Sequence, residues 1–210
     1  MKCPKRITRQ AFSAGFSFAK DFDPRAVILR EEVRDACAEN KCGCYNARWS
    51  CPPACGSLEH WAARLREYDA GLLTQTTGTL RDPFDYETMT LTGKQHALHL
   101  ARFAATLSKI CPKALLLGAG PCQRCAVCAY PTAPCRAPEG PRFSMEATGI
   151  TVSELCAAAN LPYYRGPNTI TYTACLLLPA AGPSPTVSKA SREAPVSTLR
   201  PHTQTNSDVH

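Results

Sequence analysis

Apolar and polar positions alternate along this chain with the spacing of four helices and three short strands. Apolar residues three and four positions apart mark the helical segments, and each segment begins at a residue whose side chain can cap a helix. We expect the third segment to break near residues 90–93, where threonine and glycine interrupt the pattern, and to resume from Lys94 to Ile110. The four predicted caps are Asp23, Ser57, Asp82 and Thr151.

Three apolar or β-branched runs predict the strands of a small sheet. They cover residues 70–78, 113–120 and 169–178. Helical and strand patterns alternate along the chain, and this order predicts an α/β fold, with α+β as the alternative. We expect a single compact domain in which the helices surround a small mixed sheet and two cysteine-rich loops lie together at one end.

Composition sets the predicted boundaries of this domain. We place it at residues 12–178, after a flexible N-terminus at residues 1–11 and before a disordered tail rich in proline, serine and threonine at residues 179–210. No stretch reaches the roughly 18–20 apolar residues that cross a bilayer. The apolar part of the N-terminal segment is short and interrupted, unlike a signal peptide. We therefore expect a cytoplasmic protein that does not associate with membranes.

Thirteen cysteines in 210 residues are the most informative feature of the composition. This content is below the roughly 8–10% typical of disulfide-stapled domains, and an odd number cannot pair completely. The net charge of +7 comes from basic residues scattered among acids. Two metal centres, each held by four thiolates, would contribute roughly −2 each and reduce this charge to about +3. We therefore expect metal binding in a reducing compartment and no binding to nucleic acid.

The second cysteine-rich loop, residues 122–135, reads CQRCAVCAYPTAPC. Three of its cysteines lie at a strict three-residue repeat, and a fourth follows after a turn. Zinc sites more often use two separate C-x-x-C pairs, whereas repeated steps of this kind are typical of iron–sulfur ligation. The last gap is longer than in the bacterial ferredoxin run, so the match is partial. The predicted ligands are Cys122, Cys125, Cys128 and Cys135.

The first cysteine-rich loop, residues 37–56, offers five cysteines, one more than a four-ligand site uses. One intervening residue places Cys44 poorly for the ion that Cys42 would bind, so Cys44 is the spare, although it could replace Cys42. The spacing in this loop matches no standard motif. The predicted ligands are Cys37, Cys42, Cys51 and Cys55.

The remaining cysteines and the histidines have patterns that favour structural roles. Three cysteines lie in apolar segments and are predicted to pack in the core, and Cys3 lies on the N-terminal segment predicted to be flexible. The helical histidines have no metal-ligating neighbours in sequence, and we expect them at the surface or at its boundary. These residues are Cys111, Cys156 and Cys175, and His60, His96 and His99.

Several motifs together resemble a known family. They are W-x-C-P-P in the first loop, C-x₂-C-x₂-C followed by Y-P-x-x-P-C-R in the second, and S-M-E-A-x-G beyond it. Over residues 12–178 the chain resembles the bacterial and archaeal predicted metal-binding proteins classed as domain of unknown function 2284. The resemblance implies cysteine-ligated metal on the two four-cysteine sets, and the metal it leads us to expect is iron–sulfur. It also implies supporting roles for Arg136, Ser144 and Glu146.

No catalytic constellation other than the cysteines is evident in the sequence. A nucleotide-binding loop, an H-E-x-x-H motif and a plausible Ser-His-Asp set are all missing, so we expect a protein that is not an enzyme. One or two 4Fe–4S clusters that pass electrons to an unknown redox partner protein are the first hypothesis. A zinc-stabilised binding module is the second, and a thiol-based redox sensor that uses Cys42 and Cys44 is the third.

Overall fold

The computed structural model describes residues 3–179, which belong to one compact unit. The tail predicted at residues 179–210 therefore lies outside the described residues, apart from residue 179. The described part contains five α-helices and four strands. They are α1 (Lys5–Ala14), β1 (Phe18–Phe22), α2 (Glu31–Ala38), α3 (Leu58–Leu65), β2 (Tyr68–Thr79), α4 (Tyr86–Ile110), β3 (Leu115–Leu117), α5 (Val152–Ala158) and β4 (Thr169–Pro179).

The four strands form one sheet in the order β1-β2-β4-β3. The two long central strands pair with Leu73 opposite Cys175, and β3 pairs with β4 so that Leu115 lies opposite Leu177. The predicted single domain that combines helices with a small sheet is confirmed. All three strand pairings are antiparallel, however, whereas a mixed sheet was expected. An apolar run indicates that a strand is buried but not in which direction it runs, so the sequence pattern could not supply this feature.

Both faces of the sheet are covered by apolar side chains. On one face, Leu72 and Leu176 lie in a cluster with Phe103 of α4 and with apolar residues of α1. On the other face, Leu177 packs in a cluster with Trp61 of α3 and with residues of α5. Because alternate residues of β4 enter two different apolar clusters, this strand reads in sequence as a nearly continuous apolar run.

The N-terminal segment differs from its prediction. Residues 1–11 were expected to be flexible, but α1 begins at Lys5 and packs against α4. Ile7, Ala11 and Ala14 are buried in this helix, at helical spacing, and Cys3 is only 7% exposed. Small alanines supply most of the buried face, which made the apolar pattern weak enough to miss.

Helix α4 is continuous through residues 90–93, where a break was expected. Its cap is Asp85 rather than Asp82, and the Asp85 carboxylate accepts a hydrogen bond from the Thr88 backbone N–H at 3.1 Å. A Cβ atom at Gly93 would lie 3.1 Å from the Tyr172 ring. Glycine at this position therefore allows β4 to approach the helix closely and does not end it.

The other predicted helix starts had different outcomes. Ser57 caps α3 as expected, because its hydroxyl accepts a hydrogen bond from the His60 N–H at 3.2 Å. Asp23 caps only a three-residue 3₁₀ turn; the chain then extends through Leu29, and α2 starts at Glu31. Thr151 precedes α5 but makes no capping hydrogen bond.

None of the helices within residues 3–179 is both long enough and apolar enough to cross a bilayer. The longest, α4, has 25 residues but carries several charged and histidine side chains.

Candidate metal centre

The first loop holds most of its thiols inside the protein. Cys37 lies in the last turn of α2, and the other four cysteines follow in the loop. Cys42 is exposed, whereas three of the thiols are buried, with 4–8% of their surface accessible. The buried thiols are Cys44, Cys51 and Cys55.

Hydrogen bonds fix the end of this loop to the core. The Cys55 thiol donates to the Ala147 carbonyl at 3.3 Å, and Arg34 donates to the same carbonyl at 2.9 Å. The Trp61 indole N–H donates to the Cys55 carbonyl at 2.9 Å. Since Trp61 is fully buried beside the sheet, Cys55 is held by the core and not by the loop alone.

Burial makes ionisation of the first-loop thiols less favourable. Desolvation raises the pKa of Cys37, Cys51 and Cys55 above the ordinary cysteine value. The Arg34 guanidinium partly opposes this effect at Cys37 and Cys55. These thiols are therefore held as neutral groups unless a further cation compensates their charge.

The second loop presents its thiols differently. All four of its cysteines are partly exposed, and all four line one small cavity of about 20 Å³, called here the cysteine cavity. Three guanidinium-bearing side chains line it too. The members that matter for charge are Cys122, Cys125, Cys128 and Cys135 with Arg48, Arg124 and Arg136.

The surroundings of Cys128 favour its anionic form. Desolvation raises its pKa, but the backbone N–H groups of Tyr130, Trp49 and Ala129 and the charge of Arg48 lower it by more, so that the net shift is downward. Two of these four groups belong to the first loop. The first loop therefore helps to stabilise the thiolate form of a second-loop cysteine.

Direct contacts join the two loops, which confirms the prediction that they are neighbours. The Trp49 indole N–H donates to the Ala133 carbonyl at 2.9 Å, and the Trp49 ring packs edge-on against Tyr130. The Cys122 backbone N–H donates to the buried Ser50 hydroxyl at 3.2 Å. Ser50 directly precedes Cys51 in the chain. This one hydrogen bond therefore brings Cys51 of the first loop near Cys122 of the second, and both are candidate ligands.

The cysteine side chains of the two loops are not arranged as a closed set of metal ligands. Among residues 3–179, no group of three or more His, Cys, Asp or Glu side chains is arranged to hold a metal ion. The structure brings the four second-loop thiols to one cavity without drawing their sulfur atoms to one point. In the first loop, Cys44 lies beside Cys51 and donates to the Cys42 carbonyl at 3.4 Å, so the choice between Cys42 and Cys44 stays open.

Comparison with models of protein families identifies the family of this chain. A family model described as "predicted metal-binding protein", domain of unknown function 2284, matches residues 20–178. The chain belongs to this family. Searches of curated proteins and of solved structures gave no match. The matched residues include both cysteine loops, and four thiols with basic and N–H neighbours suit a thiophilic centre, either iron–sulfur or zinc.

The residues given supporting roles by resemblance to this family lie close to the loops. Arg136 lines the cysteine cavity and donates to the Val127 carbonyl at 3.1 Å. The Ser144 hydroxyl accepts the Ala147 N–H at 3.1 Å, next to the carbonyl that binds Cys55. Burial raises the pKa of Glu146, whose Oε2 has no hydrogen-bond partner in the described residues.

Sequence reasoning missed several neighbours of the thiols. Arg48 and Trp49 were not singled out, although both contact the second loop, and Arg48 donates to the Cys122 carbonyl at 3.2 Å. The W-x-C-P-P motif contains Trp49 and could have drawn attention to it. His96 was expected near the surface but is 3% exposed. Its contacts come from strands distant in sequence, so no local signal marked it.

Proposed function

We propose that the second loop binds an iron–sulfur cluster of the 4Fe–4S type and that the protein transfers electrons to a redox partner protein. The observation that carries this proposal is the convergence of four partly exposed thiols on one cavity. Cluster binding would draw their sulfur atoms together. The proposed ligands are Cys122, Cys125, Cys128 and Cys135.

The charge around the cysteine cavity supports an anionic centre. A cluster held by four thiolates carries net negative charge, which Arg48 and Arg136 would offset, whereas Arg124 is already paired with Glu139. The N–H groups directed at Cys128 would stabilise its thiolate further. Hydrogen bonds and charges of this kind tune the reduction potential of a cluster.

The exposure of the second loop supports electron transfer. The side chain of Val127, between two proposed ligands, is 71% exposed. A cluster in this loop would lie close enough to the surface for a partner to approach it. We propose that this exchange takes place in the cytoplasm, where thiols stay reduced.

We propose a second site in the first loop, on Cys37, Cys42, Cys51 and Cys55, with Cys44 as the alternative to Cys42. A metal centre would compensate the burial that disfavours the thiolates of this loop. Because the loops are in contact, two clusters would lie close enough to exchange electrons directly.

The metal content of the full chain, purified without oxygen, tests this proposal. Iron, acid-labile sulfide and zinc are measured together with a visible spectrum. We expect a brown protein with iron and sulfide in nearly equal amounts, about four irons per chain for one cluster and about eight for two. A colourless protein that holds zinc on the same cysteines would overturn electron transfer and favour a zinc-stabilised binding module.

A further inference from the structure

A second, much larger cavity adjoins the second loop. Its volume is about 700 Å³, within the range of small-molecule sites in proteins. Helix α4 and strand β4 form part of its wall, and residues 118–124, Arg142, Phe143, Glu146, Val152 and Tyr163 contribute the rest. Cys122 lines both this large cavity and the cysteine cavity, so the two spaces share a boundary.

Positive charge is in excess in the lining of the large cavity. Lys94 and Arg142 both line it, and neither takes part in an ion pair or hydrogen bond described for residues 3–179, although Glu139 and Cys122 attract the Arg142 charge from nearby. Arg124 also lines it but is paired with Glu139. Glu146 is the acidic side chain in the lining. Cations therefore outnumber acids in the cavity wall, which favours an anionic ligand.

A buried histidine supplies a second, independent indication of a ligand. His96 lines the large cavity and is 3% exposed. Its Nδ1 lies 3.0 Å from the Thr76 hydroxyl, whereas its Nε2 has no partner among the described residues. Burial, together with nearby His99, lowers the pKa of His96 to about 4, so the ring is neutral near pH 7. Buried polar atoms are normally satisfied. The unpartnered Nε2 is itself closed off from solvent, so a ligand would contact it once neighbouring side chains move aside, and that contact would supply the missing partner.

The rest of the wall suits the body of an organic molecule. Between the polar groups, aliphatic and aromatic side chains line the space, a combination typical of small-molecule sites. These residues are Ala97, Leu100, Phe143, Val152, Tyr163 and Tyr172.

We propose that the large cavity binds a small organic anion, with an apolar or aromatic body, next to the second cysteine loop. Arg142 and Lys94 bind its phosphate, sulfate or carboxylate group, and His96 hydrogen-bonds to it. The aliphatic and aromatic wall holds the body. This site goes beyond the proposed metal function and does not depend on it, because its cations and its histidine are not metal ligands.

Isothermal titration calorimetry on the full chain tests this proposal with 1-naphthyl phosphate as the probe. Calorimetry is unaffected by the colour of an iron–sulfur protein. Inorganic phosphate supplies the charge without the ring, and 1-naphthol supplies the ring without the charge. We expect 1-naphthyl phosphate to bind at least about tenfold more tightly than either, since each fragment lacks one set of contacts.

Two variants locate the binding. Arg142→Gln should weaken it about tenfold, the effect of losing one charge-assisted hydrogen bond. Ala97→Phe should weaken it by filling the cavity. The matched control is Arg102→Gln, because Arg102 is exposed on α4 and does not line the cavity. If Ala97→Phe unfolds the chain, Arg142→Gln alone decides the question.

Absence of binding at millimolar 1-naphthyl phosphate would overturn the proposal. Equal binding of 1-naphthol, or equal losses in Arg142→Gln and Arg102→Gln, would overturn it too. Metal content is measured on the same samples. A protein that binds the anion but holds no iron would refute the proposed cluster and leave this inference standing. A protein that holds iron but does not bind the anion would refute this inference and leave the proposed cluster standing.

Discussion

The two cysteine loops touch each other, yet they place the same side chain in opposite surroundings. In the first loop, burial raises the pKa of Cys51 and Cys55. In the second, N–H groups and Arg48 lower the pKa of Cys128 despite partial burial. Cysteine spacing distinguishes the two loops by motif but not by the chemistry of their thiols. The environment of the thiols distinguishes a loop integrated into the core from one that favours the thiolate of Cys128 near the surface.

The largest expected effect concerns metal content. Cys128→Ala should remove the centre bound by the second loop, about four irons per chain if it is a 4Fe–4S cluster. Because Cys128 is partly exposed, the metal-free chain should keep its thermal stability. Cys55→Ala should also destabilise the metal-free chain, because Cys55 is 4% exposed and bonded to Ala147. Iron analysis and thermal unfolding measure the two effects.

The control for this comparison is Cys111→Ala, at the end of α4 and outside both loops. It should retain the metal of the unmodified chain. If Cys128→Ala retained all its iron, the second loop would not be the metal centre. The difference in thiol environment between the two loops would then have no bearing on metal binding.

The next largest effect is a difference in unfolding free energy between variants of the two tryptophans that contact the loops. Trp61→Ala should cost about 3–5 kcal/mol of unfolding free energy, because Trp61 is fully buried and holds the Cys55 carbonyl. Trp49→Ala should cost about 1–3 kcal/mol, since it removes one hydrogen bond and one aromatic contact from a half-buried site. Urea denaturation of both variants measures the difference. Equal costs would show that the contact between the loops stabilises the protein as much as the anchor of the first loop in the core.

Features with strong local signals could be predicted from the sequence. The cap at Ser57 placed α3, and the β-branched and apolar runs placed β2 and β4. Strand β1 was missed because its pattern is weak: Phe22 is its single fully buried residue. The predicted break in α4 was wrong because Gly93 makes room for the Tyr172 ring and does not end the helix. No local sequence pattern reveals this contact.

The candidate site could be predicted in the same partial way. Cysteine spacing picked out four thiols that line one cavity. The correct expectation that the loops are neighbours came instead from both loops adjoining elements of one small core. The arginine side chains that lie around these thiols could not be predicted from the sequence. Arg48 approaches the second loop from 74 positions away in sequence, and Arg142 lines a cavity to which α4 and β4 also contribute. Contacts of this kind depend on the tertiary fold.

A smaller effect tests the contact between the loops. Ser50→Ala should cost about 1–2 kcal/mol of unfolding free energy, because the Cys122 N–H would lose the acceptor that the buried Ser50 hydroxyl provides. The control is Ser108→Ala, whose exposed hydroxyl bonds only within α4 and should matter little. Urea denaturation of the metal-free chain separates the two. A negligible cost for Ser50→Ala would mean that this hydrogen bond does not stabilise the contact between the loops, which Arg48 and Trp49 would then maintain.

The smallest expected effect is a shift in the pH dependence of alkylation. Iodoacetamide reacts with the thiolate, whose fraction rises as the pH passes upward through the pKa. In the reduced, metal-free chain, the Cys128 rate should therefore rise at lower pH than the Cys51 rate, because the pKa of Cys128 is lowered and that of Cys51 is raised. Peptide mass spectrometry gives each midpoint, which does not depend on how exposed the thiol is. Arg48→Gln should move the Cys128 midpoint upward by removing one stabilising charge, whereas Arg102→Gln should leave it in place. Coincident midpoints for Cys128 and Cys51 would mean that the loops do not differ in thiol chemistry, whatever their difference in burial.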